Sequence, residues 1–263
     1  MLRRRLVPVL YLKDGWMVRS EKFSIHQYIG NPIIHVERMI QWDVDELIVL
    51  DIGTGFANRF QHGRLDYQKS GVSDLFTFIA RIAEECRIPL TFGGNLRNFD
   101  QINQTFINGA DKICLNSLFH DNQKLVSQCI KVFGSQAIVA SADYRTIDGK
   151  AVVFKSDGNV RTKFDLLDWV RVVEDLQAGE IFLNCIDLDG SGQGYDLANI
   201  EMVSNSVSIP VIGCGGAGHR SHFLKCFQET SVSAVAAGNM FHFTENAYPL
   251  SKKYLREKSV NIR

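Results

Sequence analysis

Eight short apolar runs, each separated from the next by a longer amphipathic or polar stretch, constrain this chain more than any other feature. They are Leu6–Leu12, Leu47–Ile52, Leu90–Phe92, Ile113–Leu115, Ala137–Ala142, Ile181–Ile186, Val211–Ile212 and Ala234–Ala237. Within each run apolar residues follow one another almost without a break, the pattern of strands buried on both faces. Between the runs lie candidate helices. Asp74–Cys86 (DLFTFIARIAEEC) sets apolar residues at helical spacing behind an aspartate, and Phe164–Leu176 and Ala198–Ser206 behave alike. Strands alternating with helices predict a parallel sheet, and a count of eight predicts closure into a (β/α)8 barrel. An open doubly wound sheet is the alternative, because closure leaves no mark in a sequence. With 263 residues, 45% of them hydrophobic, the chain suits one such α/β barrel as a single domain over residues 1–263.

The two halves of the chain echo each other. Asp45-Glu46-Leu47-Ile48 has a counterpart in Gly179-Glu180-Ile181-Phe182. Ile88-Pro89-Leu90-Thr91-Phe92-Gly93-Gly94 has one in Ile209-Pro210-Val211-Ile212-Gly213-Cys214-Gly215-Gly216. The offsets are similar, roughly 120 to 135 residues or about half the chain, as two half-barrels would give. Two long excursions follow the second and fifth runs. Gly53–Gly71 is polar, with glycines and aromatics, and reads as a loop. Tyr144–Thr162 carries the turn signals Asp148-Gly149 and Asp157-Gly158 around Ala151–Phe154 and reads as a small hairpin. In a barrel both lie on the C-terminal face, where active sites are built.

Charge and cysteine usage narrow the function classes. Lys plus Arg and Asp plus Glu each total 29, so the formal net charge is zero, and Arg3-Arg4-Arg5 is the only basic cluster. A nucleic-acid partner is therefore not expected. No run approaches the roughly 18 apolar residues of a membrane span, and none follows Arg3-Arg4-Arg5 to make a signal peptide, so neither membrane nor export is expected. The six cysteines, at positions 86, 114, 129, 185, 214 and 226, form no CxxC pair, and Cys114, Cys185 and Cys214 lie in apolar runs. The expectation is buried, reduced thiols in a cytoplasmic protein, with no metal and no cofactor.

The residues that carry chemistry gather at the ends of the runs. Gly93-Gly94, Gly190-Ser191-Gly192 and Gly215-Gly216-Ala217-Gly218 are glycine-rich strand ends. Glycine lets backbone N–H groups approach an anion, and a helix start just behind adds positive dipole. Asn116-Ser117 stands beside Gly93-Gly94, and Gly238-Asn239 beside Gly215-Gly216. Two such pockets on opposite sides of the mouth would hold a phosphorylated small-molecule substrate with two anionic ends. Ordinary βα turns that need small residues are the competing reading. Among the acids Asp51, Asp143, Asp187 and Asp189, Asp143 directly closes the run IVASAD and is the best candidate general acid or base. Asp189, in DLDG, is either a second catalytic acid or a turn former. At the opposite strand ends, Arg5, Glu46, Lys112 and Glu180 precede the first, second, fourth and sixth runs. Two cations and two anions can pair into a ring at the barrel floor, a device that stability alone would explain.

Nearly the whole chain resembles the cyclase subunit of imidazole glycerol phosphate synthase, the HisF family. The matching segments are RRRLVPVLYLKDG (3–15), DELIVLDI (45–52), IPLTFGGNLR (88–97), GADKICLNS (109–117), FGSQAIV (133–139), IDGKAVVF (147–154), GEIFLNCIDLDGSGQGYDL (179–197), IPVIGCGGAG (209–218) and AVAAGNMFHF (234–243). The resemblance implies a (β/α)8 TIM barrel with a separate glutaminase subunit docked on its N-terminal face, where FGSQ (Phe133–Gln136) resembles part of the contact surface. It implies that ammonia passes through the barrel and reacts at the C-terminal face with a bisphosphorylated ribulosyl aminoimidazole carboxamide. The products are imidazole glycerol phosphate and an aminoimidazole carboxamide ribotide. It further implies that Asp143 is the strand-five member of an acid/base pair and Asp189 a further active-site acid. Gly93, Gly94, Asn116, Ser117, Gly190, Gly215, Gly216, Gly238 and Asn239 then belong to the two phosphate sites, and Arg5, Glu46, Lys112 and Glu180 to the ammonia gate.

The departures from the family pattern matter as much. Pro8-Val9-Leu10-Tyr11-Leu12 stands where the family has Pro-Cys-Leu-Asp-Val, so the strand-one acid is missing. A phenol with an ordinary pKa of about 10 can donate a proton but is a poor base at neutral pH. Asn95 stands for the family's third glycine after strand three, Arg19 for its lysine after strand one, and Gly53–Gly71 is longer than the family's loop. An intact ammonia path with altered cyclase chemistry is similar to HisF-like paralogues that work with a glutaminase and a sugar amidotransferase to make acetamidino sugars for surface polysaccharides. That is the expected role. A fully active cyclase of histidine biosynthesis is the first alternative. A phosphosugar isomerase barrel is the second, although it too needs a strand-one acid and has no use for the gate ring or FGSQ.

Overall fold

The computed structural model describes residues 3–53, 74–85 and 88–263. All eight apolar runs are strands of one barrel: β1 (Arg5–Lys13), β4 (Leu47–Asp51), β5 (Leu90–Gly93), β6 (Lys112–Leu115), β7 (Ile138–Ile147), β10 (Glu180–Cys185), β11 (Val211–Cys214) and β12 (Ala234–Ala237). Four further strands are antiparallel additions: β2 (Trp16–Glu21), β3 (Ile25–Gly30), β8 (Lys150–Lys155) and β9 (Val160–Asp165). The eight barrel strands pair in parallel and in chain order. β12 meets β1 through Arg5↔Ala234 to Pro8↔Ala237, and β7 meets β10 through Val139↔Glu180 to Tyr144↔Cys185. Each barrel strand has a neighbour on both sides, so the sheet is a closed (β/α)8 cylinder and not the open alternative.

Because each strand is covered on both faces, alternate side chains divide between two cores. On β1, Leu6, Leu10 and Leu12 face the surrounding helices and join a large outer core with Phe78, Trp169 and Tyr248. Val7, Val9 and Tyr11 face inward, with Ile48, Cys114, Val139, Phe182 and Ile212, and fill the lumen. The helices start where the sequence offers a cap. Asn31, Asn98, Asn122 and Asp196 each accept a first-turn N–H, ahead of Pro32–Gln41, Phe99–Ile107, Gln123–Phe133 and Leu197–Ser206.

Two sequence readings change. The helix expected over Phe164–Leu176 begins only at Leu166, because residues 160–165 continue as β9. Arg161 pairs with Phe154 and Asp165 with Val152, and the Asp165 carboxylate then caps the helix by accepting the Asp168 N–H at 2.9 Å. The small hairpin is therefore a three-stranded meander of β7, β8 and β9. It turns at the two Asp-Gly pairs, whose residues all have positive φ. The second change is an addition: β2 and β3 form a hairpin over the mouth that the apolar runs did not mark. The helix read over Asp74–Cys86 is present as Leu75–Glu85. Cys86 and all of the Gly53–Gly71 loop except Gly53 lie outside the described residues. Cys114, Cys129, Cys185, Cys214 and Cys226 are buried and free. Among the described residues, no helix is long and apolar enough to cross a membrane, and no group of three or more His, Cys, Asp or Glu could hold a metal ion.

The half-chain repeat reappears as geometry. Gly94 and its counterpart Gly215 have φ +98 and +97. A Cβ on Gly94 would lie 2.0 Å from the Asp51 carbonyl oxygen, and one on Gly215 would lie 2.5 Å from that of Cys185. Gly94→Ala is expected to cost about 3 kcal/mol or more, from backbone strain together with the clash. That would lower the melting temperature by roughly 6–12 °C. Gly149→Ala, at φ +75 with nothing within 4 Å, is expected to cost about 1 kcal/mol. Thermal unfolding of the two variants checks this, and equal shifts would contradict the close-approach account.

Candidate active site

The barrel floor follows from strand alternation. Arg5 shares the inward parity of Val7, Val9 and Tyr11, Glu46 that of Ile48, Lys112 that of Cys114, and Glu180 that of Phe182. The four charged side chains meet. Arg5 Nη1 lies 2.5 Å from Glu46 Oε2, while Lys112 Nζ lies 3.2 Å from Glu46 Oε1 and 2.9 Å from Glu180 Oε2. Arg5 Nη2 also binds Glu180 Oε1. Each cation touches both anions, which closes the ring. Both glutamates are buried, and the Thr91 hydroxyl donates to Glu46 at 3.4 Å. Burial pushes the Glu46 carboxyl up, but Arg5 and Lys112 outweigh it and hold the group below its ordinary range. Burial pushes Lys112 down, and Glu180 and Glu46 outweigh that and raise it. Glu46 and Lys112 are therefore charged at neutral pH.

The same parity, carried upward, delivers Tyr11, Asn116, Asp143 and Asn184 to the mouth. Asp143 is buried and accepts from Asn116 Nδ2 at 3.0 Å, Ser141 Oγ at 3.1 Å and Asn184 Nδ2 at 3.1 Å. Burial pushes its carboxyl up to about 7, against the opposing hydrogen bonds from Asn184 and Ser141. A carboxyl tuned there can give or take a proton at neutral pH. Tyr11 has its ring edge-on to Phe23 at 5.5 Å and its hydroxyl in hydrogen-bonding reach of Cys214. Burial, then Cys214, Asp189 and Asp143, raise the phenol well above its ordinary value. Tyr11 is thus a neutral hydroxyl at physiological pH and not a base.

Asp189 is drawn to the hairpin. Its Oδ2 accepts from Ser20 Oγ at 2.6 Å and from the Phe23 N–H at 3.2 Å, while its carbonyl accepts the Lys22 N–H at 3.0 Å. It also sits in the Leu188–Ser191 turn, ahead of Gly190 at φ +70. The carboxylate holds the β2–β3 tip so that Phe23 covers Tyr11. Asp187 ties down the neighbouring hairpin through Arg145 at 3.4 Å and the Thr146 N–H at 2.8 Å. Asp51 is buried at the end of β4 and accepts the Gly53 N–H at 3.2 Å.

The glycine-rich ends fall into two groups across the mouth. Gly94, Asn116 and Ser117, with Arg97, Asn122 and Asp143, line a cavity of about 430 Å³, and Gly93 lies directly beneath against the Cys114 carbonyl. On the far side the strand ends pack on one another. Gly190 and Asn239 sit against Ser20, with Asn239 Nδ2 donating to the Ser20 carbonyl at 2.7 Å and Oδ1 accepting its N–H at 3.3 Å. Gly215 abuts the Cys185 carbonyl, Gly238 the Val9 carbonyl, and Gly216 accepts the Gly194 N–H at 2.7 Å. Sequence reasoning missed Ser20, Phe23, Ser141 and Asn184. A polar residue at an inward position of a buried strand was the available signal for Ser141 and Asn184.

Comparison with known proteins matches this architecture. The family described as histidine biosynthesis protein covers residues 5–247. The chain is 36% identical over 264 residues to the imidazole glycerol phosphate synthase subunit HisF of Hydrogenobaculum sp. (strain Y04AAS1), covering 100% of each chain. It is 34% identical over 263 residues to the HisF subunit of Thermotoga sp. (strain RQ2), covering 100% of this chain and 98% of that one. It is 36% identical over 244 residues, 92% of each chain, to a Pseudomonas aeruginosa protein provisionally named imidazole glycerol phosphate synthase subunit hisF2. A closed eight-stranded barrel, a family match over nearly its full length and full-length relatives of this kind place the chain in the histidine biosynthesis protein family, among the HisF subunits.

Proposed function

We propose that this chain is a HisF-type subunit that receives ammonia from a glutaminase subunit at the barrel floor and delivers it at the mouth, and that its own pathway is sugar amidination. Its relatives are named as subunits of imidazole glycerol phosphate synthase, which supports a partnered, cyclase-type ancestry. The observation that carries the reading is the pairing of a four-charge ring on the floor with Tyr11, a buried neutral phenol, at the strand-one position where the family resemblance implies an acid. An ion entering the apolar lumen would shed its hydration at a large cost, whereas neutral ammonia would not. With its four charges already paired, the ring would admit ammonia only as those ion pairs part. Gly134 at φ +87 and the turn Ser135–Ala137 set FGSQ just ahead of β7, on the same floor, where a partner would dock. At the mouth, Asp143 can accept or donate a proton, but Tyr11 cannot serve as the matching base, so ring closure lacks one of its two groups. The ammonia would then pass to a sugar amidotransferase. The competing reading, a competent cyclase of histidine biosynthesis, draws support from Asp143 at about 7 beside the cavity at Gly94 and Asn116. In both readings a phosphorylated substrate or its analogue meets the glycine-rich strand ends.

Three measurements test this. Glu46→Gln and Lys112→Gln are each expected to leave the barrel folded while raising the ammonia that escapes to solvent per glutamine hydrolysed in the complex with the glutaminase. An unchanged escape ratio in both variants would remove the channel. Wild-type protein given ammonium salts and the bisphosphorylated cyclase substrate is expected to turn over at background level, and Tyr11→Asp to raise the rate at least about tenfold, within the span of one positioned acid or base. Rapid wild-type turnover would establish the cyclase reading instead. The raised Asp143 pKa also predicts a pH signature. The folded state binds this proton more tightly than the unfolded chain, so the stabilisation is full below about pH 4 and is lost as pH rises through about 7. Relative to Asp143→Asn, wild-type stability should therefore fall by on the order of 3–4 kcal/mol between pH 4 and pH 8. Parallel pH profiles from denaturant unfolding would show that Asp143 is not so perturbed.

A further inference from the structure

We propose a second small-molecule site outside the mouth, in the cleft between the end of β3, helix Pro32–Gln41 and helix Met240–Phe243, built for a monocarboxylate with an apolar body. The cleft encloses about 410 Å³ and shares no lining residue with the cavity at Asp143. Its polar wall is Arg38, His35 and His242. Arg38 Nη1 donates to the His242 carbonyl at 3.3 Å and Nη2 to His35 Nδ1 at 3.1 Å, and the guanidinium lies 5.9 Å over the Trp42 ring. That framework fixes the fork in place while using two of its five N–H groups. Among the described residues Arg38 has no carboxylate in ion-pair contact.

His242 completes the polar wall. It is 7% exposed, lines the cleft, and neither of its ring nitrogens has a hydrogen-bond partner. Both nitrogens are closed to solvent, so the ring packs the wall and the Arg38 fork is the group that meets a ligand. Its ring stands edge-on to His35 at 5.2 Å. Burial, helped by Arg38, lowers both rings, to about 4 for His35 and about 3 for His242, so both are neutral at physiological pH, and His35 is already engaged by Arg38 and by the Ile29 backbone. The cleft therefore presents one full positive charge in a planar fork; the fork suits carboxylate and phosphate alike, but its single charge is balanced by a carboxylate and exceeded by a phosphate dianion. The other wall is apolar. Ile34 and Phe243 are 57% and 60% exposed, and Ile29 closes the base. A ligand that is only an anion would leave this wall in water.

Phenylacetate is the probe, with phenylacetamide and inorganic phosphate as controls, titrated into the full-length protein carrying carbon-13-labelled histidine. Phenylacetate is expected to shift the ring signals of His35 and His242 saturably, to leave those of His120 and His222 in place, and to bind at least about tenfold more tightly than either control. Arg38→Met should abolish the shift. Phe243→Ser, at an exposed position that folding does not depend on, should weaken binding severalfold. Absence of a saturable shift, an undiminished shift in a folded Arg38→Met protein or in Phe243→Ser, or equal binding of phosphate or phenylacetamide would each overturn the assignment.

Discussion

Closing eight parallel strands into a cylinder commits every second side chain of each strand to a space that water barely reaches. The rest of this structure follows from that commitment. Any charge at an inward position must find its partner inside the same cylinder, because burying it alone costs far more than a domain of this size has in reserve. Arg5, Glu46, Lys112 and Glu180 meet the condition by alternating in sign around the floor, so that each is neutralised from two sides. Their coupling also means that none can leave without exposing its neighbours, and removing one partner of such a buried pair costs about 3–5 kcal/mol.

At the mouth the same desolvation acts on two groups with opposite consequences. It lifts the Asp143 carboxyl into the range where proton exchange is useful, with Asn116, Asn184 and Ser141 fixing its direction. It lifts the Tyr11 phenol away from that range. One environment therefore equips a carboxylate for acid–base work and disarms a phenol, which is why the identity of a single residue on β1 decides so much. The hairpin above them is not a free flap. Asp189 holds its tip and Asn239 its backbone at Ser20, and with those bonds made Phe23 sits on Tyr11.

How legible each part was depends on how local its cause is. The barrel strands were readable because burial on both faces writes itself into consecutive residues. The floor was readable as charges standing just ahead of apolar runs, although only the resemblance tied those charges into one gate. The β2–β3 hairpin left no such trace. Its turn places Lys22 and Phe23 at φ +51 and +52 without a glycine, held there by Asp189 more than 160 residues away. Asp189 shows the same limit from the other side: DLDG announces a turn, and the turn is present, but nothing near it in sequence reveals that its carboxylate serves Ser20 and Phe23. The shift of the expected helix at Phe164 has a plainer source. Amphipathic spacing does not separate a strand that leads into a helix from the helix itself, and the cap at Asp165 settles the boundary.

A ring of four buried charges is not what stability alone favours, since well-packed apolar residues of similar volume often serve as well or better. Its presence therefore asks for a use at the floor, and admission of a small neutral nucleophile is a use that requires charge without requiring any group at the mouth. Cyclisation does require the mouth, and there burial lifts Asp143 to about 7 while Tyr11 is held in its hydroxyl form. The floor and the mouth are thus separable: the physical demands of passage are met by residues that make no contact with those of ring closure. Under the proposed function, a barrel with the first complete and the second reduced would hand ammonia onward, and the cylinder between them would keep that task independent of the chemistry performed at its rim.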